Sequence, residues 1–181
     1  MKDLTPFVQS FILHWGEMGT KWGINRTVAQ IHALLFTSDA PLHAEQICET
    51  LGVARSNVSN SLRELQNWGV VKVVHLPGDR RDHFECLKDV YEMFRVILAE
   101  RKRREIDPTL RLLQECAEEA DQSARPEDEH ARDQLHALLE FFQLMTDFYE
   151  QMNRLPTKTA VSAFRMGDKI MKSAGLLPSK S

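Results

Sequence analysis

The sequence has few cysteines, no long apolar run and no charged leader. Among 181 residues there are three cysteines, Cys48, Cys86 and Cys116, which lie far apart without metal-ligand spacing. We therefore expect reduced thiols, with neither a disulfide nor a bound metal. No apolar run approaches the roughly 20 residues of a membrane span, and no basic stretch followed by an apolar segment opens the chain. These absences predict a cytoplasmic protein with no membrane partner.

Motifs of catalysis and cofactor binding are also missing. The chain has no Gly-rich phosphate loop, no Gly-x-Ser-x-Gly elbow and no paired Cys/His motif. Its seven histidines form no His-x-x-x-His pair and no carboxylate-rich cluster. The sequence therefore predicts a protein that is not an enzyme and needs no cofactor.

The charge is unevenly distributed along the chain. The net charge is −3, but residues 70–104 sum to +3, residues 105–130 to −7 and residues 154–181 to +5. An acidic body with a locally basic head is compatible with a small protein that binds nucleic-acid phosphates through one surface only. Solvated helix faces would give a similar distribution.

The hydrophobic periods predict a mainly α-helical fold with one hairpin. Helices are expected at about 5–18, 25–37, 43–50, 54–68, 89–121, 127–153 and 157–174, and strands at 70–76 and 82–87. This order predicts a winged helix-turn-helix head with a two-stranded wing, between long N- and C-terminal dimerisation helices. We divide the chain into an N-terminal helix contributing to dimerisation (1–24), a winged helix-turn-helix domain (25–88), a helical dimerisation and effector region (89–174) and a disordered tail (175–181).

The segment 127–153 carries an apolar stripe too wide for a helix that faces solvent on so small a head. Such stripes bury against partners, so a homodimer is expected. The stripe consists of Leu135, Leu138, Leu139, Phe142, Met145, Phe148 and Met152.

The helix predicted at 54–68 has one apolar face and one face of short polar side chains. At about 100° per residue, Val58, Leu62 and Leu65 point inward. Asn, Arg and Ser are residues that hydrogen-bond to base edges or phosphates in a major groove, whereas a structural surface helix favours Glu and Lys. This pattern predicts a helix that reads double-stranded DNA. Its candidate contact residues are Arg55, Ser56, Asn57, Ser59, Asn60 and Arg63.

The hairpin that follows has a basic tip. Arg80 and Arg81 are predicted to reach phosphates or an adjacent minor groove beside the reading helix. Pro77-Gly78 fits the centre of a type II turn, and Asp79 is expected to orient an arginine by a charge-assisted hydrogen bond.

These motifs resemble the GbsR-like branch of the MarR family of regulators, most closely from about residue 11 to 105. The resemblance is carried by Gly52–Ser59, Leu62–Leu65, Trp68–Val71 and Pro77–Asp82. It implies a winged-helix homodimer that represses transcription by occupying a pseudo-palindromic operator. Family members typically have a hydroxyl residue where this chain has His43 and often Ser where it has Ala54, which leaves side-chain capping at both positions open.

Two further expectations concern partners. GbsR-like relatives include sensors of choline-type ligands, so the resemblance implies a small-molecule effector, with a quaternary ammonium in an aromatic cage as the candidate. The alternative to a DNA-binding regulator is a winged-helix adaptor that binds proteins, which would need neither the Ser/Asn face nor the wing arginines. The candidate cage residues are Trp15, Trp22, Phe84, Tyr91, Phe94 and Tyr149.

Overall fold

The computed structural model describes residues 4–123 and 125–173. Its elements in chain order are α1 (Pro6–Lys21), α2 (Arg26–Thr37), β1 (Leu42–His43), α3 (Ala44–Leu51), α4 (Arg55–Asn67), β2 (Val71–Val74), β3 (His83–Cys86), α5 (Val90–Arg101), a π-helical segment (Lys102–Ile106), α6 (Asp107–Gln122), a 3-10 turn (Pro126–Asp128), α7 (Glu129–Arg154) and α8 (Thr157–Ser173).

The chain forms two compact units divided between Ile97 and Leu98. The mainly helical fold with a small antiparallel sheet confirms the predicted fold class. The predicted tail at 175–181 lies outside the described residues, and the four-part division of the chain stays a prediction. None of the described helices combines the length and apolarity that crossing a membrane requires.

The first unit packs its helices and sheet around one apolar core. Close approach of α1 and α2 depends on Gly19, where an added Cβ would lie 2.5 Å from Cβ of Ala29. Burial of aliphatic side chains from α1 to β3 supplies the main stabilisation of this unit. The buried core consists of Ile12, Val28, Ile31, Ala33, Leu34, Leu35, Ile47, Val58, Leu62, Leu65, Val70, Val71, Phe84 and Cys86.

The turn between α3 and α4 depends on a left-handed glycine. Gly52 has φ +68° and donates its N–H to the carbonyl of Cys48 at 2.8 Å. An L side chain rarely adopts that conformation, so glycine ends α3 and lets the chain reverse into α4. Trp68 closes α4, and Gly69, with φ +78°, leads into the sheet.

The sheet has three antiparallel strands in the order β1-β3-β2, one strand more than predicted. The wing strands pair Val71 with Cys86 and Val74 with His83, which confirms the hairpin but shortens both strands. The added strand β1 pairs His43 with His83. Two residues are too few to show an alternating pattern, which is why the sequence did not reveal β1.

The second unit contains a hairpin of α6 and α7. The helix predicted at 89–121 is divided into α5, the π-helical segment and α6, and Pro108 lies in the first turn of α6, where its missing N–H costs little. Leu113 and Ala117 are buried on α6. Arg132 of α7 donates to the carbonyls of Ala120 at 3.0 Å and Ser123 at 2.7 Å, and so satisfies the end of α6.

The apolar stripe of α7 divides into two. Leu135, Leu139 and Phe142 are half-buried, whereas a second row is exposed along the same helix. The exposed row comprises Leu138, Phe141, Met145 and Phe148, each at least 44% exposed.

Candidate nucleic-acid interface

Helix α4 presents the two faces that the sequence predicts. Val58, Leu62 and Leu65 are at most 2% exposed and anchor the helix in the core. Ser61 is also buried, which the helical pattern did not single out. The opposite side is polar and solvent-accessible, and it carries all six predicted contact residues of this helix: Arg55, Ser56, Asn57, Ser59, Asn60 and Arg63.

The beginnings of α3 and α4 are capped differently. The His43 ring lies at hydrogen-bond distance from the Gln46 backbone N–H, and the Gln46 side chain accepts from the His43 N–H at 3.0 Å. This reciprocal arrangement has the geometry of a capping box, at a position that a hydroxyl residue usually holds. Ala54 makes no side-chain cap for α4.

The wing tip is a tight turn with the geometry that Pro77-Gly78 predicts. Gly78 has φ +82°, and the N–H of Asp79 donates to the carbonyl of Leu76 at 3.1 Å. Positive φ at the third turn residue and a hydrogen bond from the fourth residue to the first are features of a type II turn. The tip is therefore held in one shape.

Asp79 holds Arg81 in a bidentate ion pair, as predicted. The Arg81 Nε lies 2.9 Å from Oδ1 and 3.0 Å from Oδ2 of Asp79, and Nη2 also contacts Oδ2. These hydrogen bonds hold the pKa of the Asp79 carboxyl well below its usual range. The Arg81 side chain remains 55% exposed. Arg80 is exposed too, and no described residue pairs with it.

His43 and Glu45 connect the wing to the two helices, and sequence reasoning did not assign this role to either residue. The Arg81 Nη1 lies 2.8 Å from Nε2 of His43, and Nδ1 of His43 lies 3.0 Å from a carboxylate oxygen of Glu45. The other oxygen of Glu45 pairs with Arg55 at the first turn of α4. No local motif joins residues so distant along the chain, so only the fold reveals the connection.

A cleft of about 340 Å³ separates α4 from the wing. Its wall carries three arginines and two carboxylates beside the apolar side chains of Ala44, Leu62 and Phe84, so the cleft is weakly positive. It is lined by Ala44, Glu45, Arg55, Ser59, Leu62, Arg63, Gln66, Arg81, Asp82 and Phe84.

The predicted effector cage is assembled only in part. Trp15 and Trp22 meet edge to face with ring centroids 6.0 Å apart. Phe84 is 8% exposed within the core of the first unit, and Tyr91 and Phe94 are exposed on α5. Tyr149 belongs to α7 in the second unit. Within the first unit, the tryptophans thus form a pair, while Phe84 lies in the core and Tyr91 and Phe94 are exposed on α5.

The three thiols are free. Burial raises the pKa values of Cys48 and Cys86, which disfavours the reactive thiolate. Within the described part of the chain, no three His, Cys, Asp or Glu side chains are grouped so as to hold a metal ion.

A helix-turn-helix whose second helix is followed by a β-hairpin wing defines the winged helix-turn-helix class. Residues 22–82, about a third of the chain and including α2 to the wing tip, match the model of the MarR family. MarR-family proteins are transcription regulators and not enzymes.

Individual known proteins are similar over most of the chain. The relative named "Putative HTH-type transcriptional regulator YvaV" from Bacillus subtilis (strain 168) is 22% identical over 149 residues, covering 80% of this chain and 82% of the relative. A crystal structure of a transcriptional regulator is 20% identical with a TM-score of 0.48, covering 81% of this chain and 99% of the other. A mutant of S. aureus MepR bound to an oligodeoxyribonucleotide is 16% identical with a TM-score of 0.38, covering 74% and 91%.

Proposed function

We propose that this chain is a MarR-type transcription regulator that binds a specific DNA sequence as a homodimer, and that it belongs to the GbsR-like branch. The observation that carries the proposal is the exposed Ser/Asn/Arg face of α4 beside the wing arginines within one compact unit. The match of residues 22–82 to the MarR model supports it independently.

The two surfaces have different tasks in this proposal. Asn60 and Ser56 enter the major groove, where short polar side chains hydrogen-bond to base edges. Arg80 and Arg81 lie at phosphates or in the neighbouring minor groove, where they contribute counterion release and little base choice. The core residues Val58 and Leu62 hold α4 rigidly, which preserves its position when the polar face docks.

The test is selection of bound sequences from random DNA, followed by titration of a selected duplex and a scrambled duplex at one fixed salt concentration. A regulator prefers the selected duplex by about 10³-fold or more. Equal affinity for the two duplexes would contradict specific recognition and favour a winged-helix adaptor that binds proteins.

The exposed apolar row on α7 supports the homodimer. Four large apolar side chains on one helix would lose favourable burial in a monomer, and such patches typically mark interfaces. Sedimentation at micromolar concentration should show a dimer, and Phe141→Asp should shift it toward monomer. An unchanged sedimentation coefficient in Phe141→Asp would exclude this row from the interface.

Repression and effector sensing follow from the GbsR-like assignment. A repressor dimer occupies a pseudo-palindromic operator and blocks transcription from an overlapping promoter in a reconstituted assay. The Trp15–Trp22 pair supports an aromatic site for a quaternary ammonium ligand such as choline. Choline should then change tryptophan fluorescence and weaken operator binding in the wild type but not in Trp22→Ala. An unchanged operator affinity at saturating choline would exclude choline as the effector.

A further inference from the structure

A continuous series of polar contacts links the wing tip to the beginnings of α3 and α4. It runs from Asp79 to Arg81, from Arg81 to His43, from His43 to Glu45, and from Glu45 to Arg55. The central imidazole is largely buried, with a side-chain exposure of 11%, whereas the two arginines at its sides are 55% and 62% exposed. The buried imidazole of His43 therefore lies between the solvent-exposed guanidinium groups of Arg81 and Arg55.

The donors and acceptors determine which tautomer His43 adopts. A guanidinium only donates, so Nε2 of His43, 2.8 Å from Arg81 Nη1, must be the acceptor. The ring proton of neutral His43 is then on Nδ1, which donates to the Glu45 carboxylate at 3.0 Å. The Gln46 N–H approaches the same Nδ1 at 3.3 Å, but in this tautomer Nδ1 carries the proton and does not accept from it. The cap of α3 then rests on the Gln46 side chain.

We propose that His43 is a positioning residue that holds the Arg81 guanidinium against the wing and, through Glu45, fixes Arg55 at the start of α4. The proposal rests on the proposed DNA-binding function. A Ser at this position could cap α3, but its single hydroxyl is too short to bridge Glu45 and Arg81. An ordered arginine loses less conformational entropy when it meets a phosphate, so holding it raises affinity for any duplex.

Burial and the neighbouring Arg81 and His83 favour the neutral form of His43 more strongly than the nearby carboxylates Asp79 and Glu49 favour the charged form. Glu45 and Glu49 face it from α3, Asp79 and Arg81 from the wing turn, and His83 from β3, whose ring meets the His43 ring edge to face at 5.5 Å. Burial, followed by Arg81 and His83, lowers the pKa of His43 from its usual value. At pH 7 the ring is neutral and accepts from Arg81. Protonation at acid pH removes that acceptor and places two cations together.

The first experiment needs no DNA. Nitrogen-15 NMR of the histidine side chains in the free protein should show His43 protonated at Nδ1 and unprotonated at Nε2 at pH 7. Arg81→Ala should change these His43 signals, whereas Lys72→Ala, on the adjacent wing strand, should leave them unchanged. An Nε2–H tautomer, or His43 signals that Arg81→Ala does not affect, would overturn the proposal.

The second experiment separates positioning from capping. His43→Ser supplies a good N-cap, so its stability in urea should equal or exceed that of the wild type. Its affinity for both selected and scrambled duplexes should fall about 2- to 10-fold, the cost of ordering one long side chain on binding. His43→Gln keeps an acceptor and a donor and should recover most of this loss at pH 7.

The pH profile distinguishes the variants further. Between pH 7 and an acid pH at which the NMR signals show His43 to be protonated, wild-type affinity should fall relative to His43→Gln, and His75→Gln, a control at an exposed wing histidine, should follow the wild type. Wild-type affinity in His43→Ser, or parallel pH profiles for wild type and His43→Gln, would contradict the positioning role. Failure of the wild type to bind any duplex would instead contradict the proposed function, while the NMR result would still decide the contact itself.

Discussion

Acid should destabilise the first unit through the buried histidine His32. His32 on α2 is 5% exposed, and its Nε2 has no hydrogen-bond partner among the described residues. The ring lies between Trp15 and Phe36, with centroids 6.3 Å from each. Burial, together with the charge of Lys88, lowers the pKa of His32 from 6.5 to about 4. The folded state therefore favours the neutral ring.

The size of this effect follows from proton linkage. Because the folded pKa is depressed, stability from neutral His32 is present above pH 6.5 and is lost as the pH falls toward 4. The full difference in pKa corresponds to about 3 kcal/mol, and about 2 kcal/mol of it is lost between pH 7 and pH 5. That is a large part of the roughly 5–15 kcal/mol by which a domain is stable.

The assay is urea unfolding followed by circular dichroism at pH 5, 6 and 7, at fixed protein concentration because a dimer links stability to concentration. His32→Leu should show a loss between pH 7 and pH 5 that is smaller than the wild-type loss by about 2 kcal/mol. His14→Gln, an exposed histidine on α1, serves as the control and should keep the wild-type slope. Identical slopes for wild type and His32→Leu would refute the reasoning.

Three further substitutions test local packing and caps by urea unfolding. Gly19→Ala should destabilise by about 1–3 kcal/mol, because its methyl group would lie 2.5 Å from Cβ of Ala29; a neutral result would mean that α1 and α2 separate freely. Lys88→Met should cost about 1 kcal/mol, since Nζ of Lys88 contacts three carbonyl oxygens at the end of α2 at 2.6 to 2.9 Å. Arg132→Met should also destabilise by about 1 kcal/mol, because it leaves two carbonyls at the end of α6 unpaired. Wild-type stability of Lys88→Met or of Arg132→Met would show that water replaces the lost hydrogen bonds equally well.

Short-range features were predictable from the sequence. The helical period of α4 assigned Val58, Leu62 and Leu65 to the core, and all three are buried. The type II turn at Pro77-Gly78 and the pairing of Asp79 with an arginine followed from the conformational preferences of these residues. Each of these features depends on residues within a few positions of one another.

Features formed by distant residues were not predictable. The bridge from Arg81 to His43 spans 38 positions, and nothing in either neighbourhood indicates the other. Strand β1 forms because β3 lies beside it, and its own two residues give no β signal. The aromatic residues proposed for one cage share chemistry, but packing places Phe84 in the core and Tyr91 on an exposed helix face.

The most direct test of the DNA-reading account is the effect of Asn60→Ala on discrimination between a selected and a scrambled duplex at one fixed salt concentration. Asn60 is exposed opposite the buried face of α4, so its truncation should change the free energy of unfolding by less than about 0.5 kcal/mol. If Asn60 binds one base edge, the variant should lose about 1–3 kcal/mol on the selected duplex and almost nothing on the scrambled one. Asn67→Ala, in the last turn of the same helix, is the matched control and should keep the wild-type preference. Unchanged discrimination in Asn60→Ala would contradict the assignment of this face as the base reader.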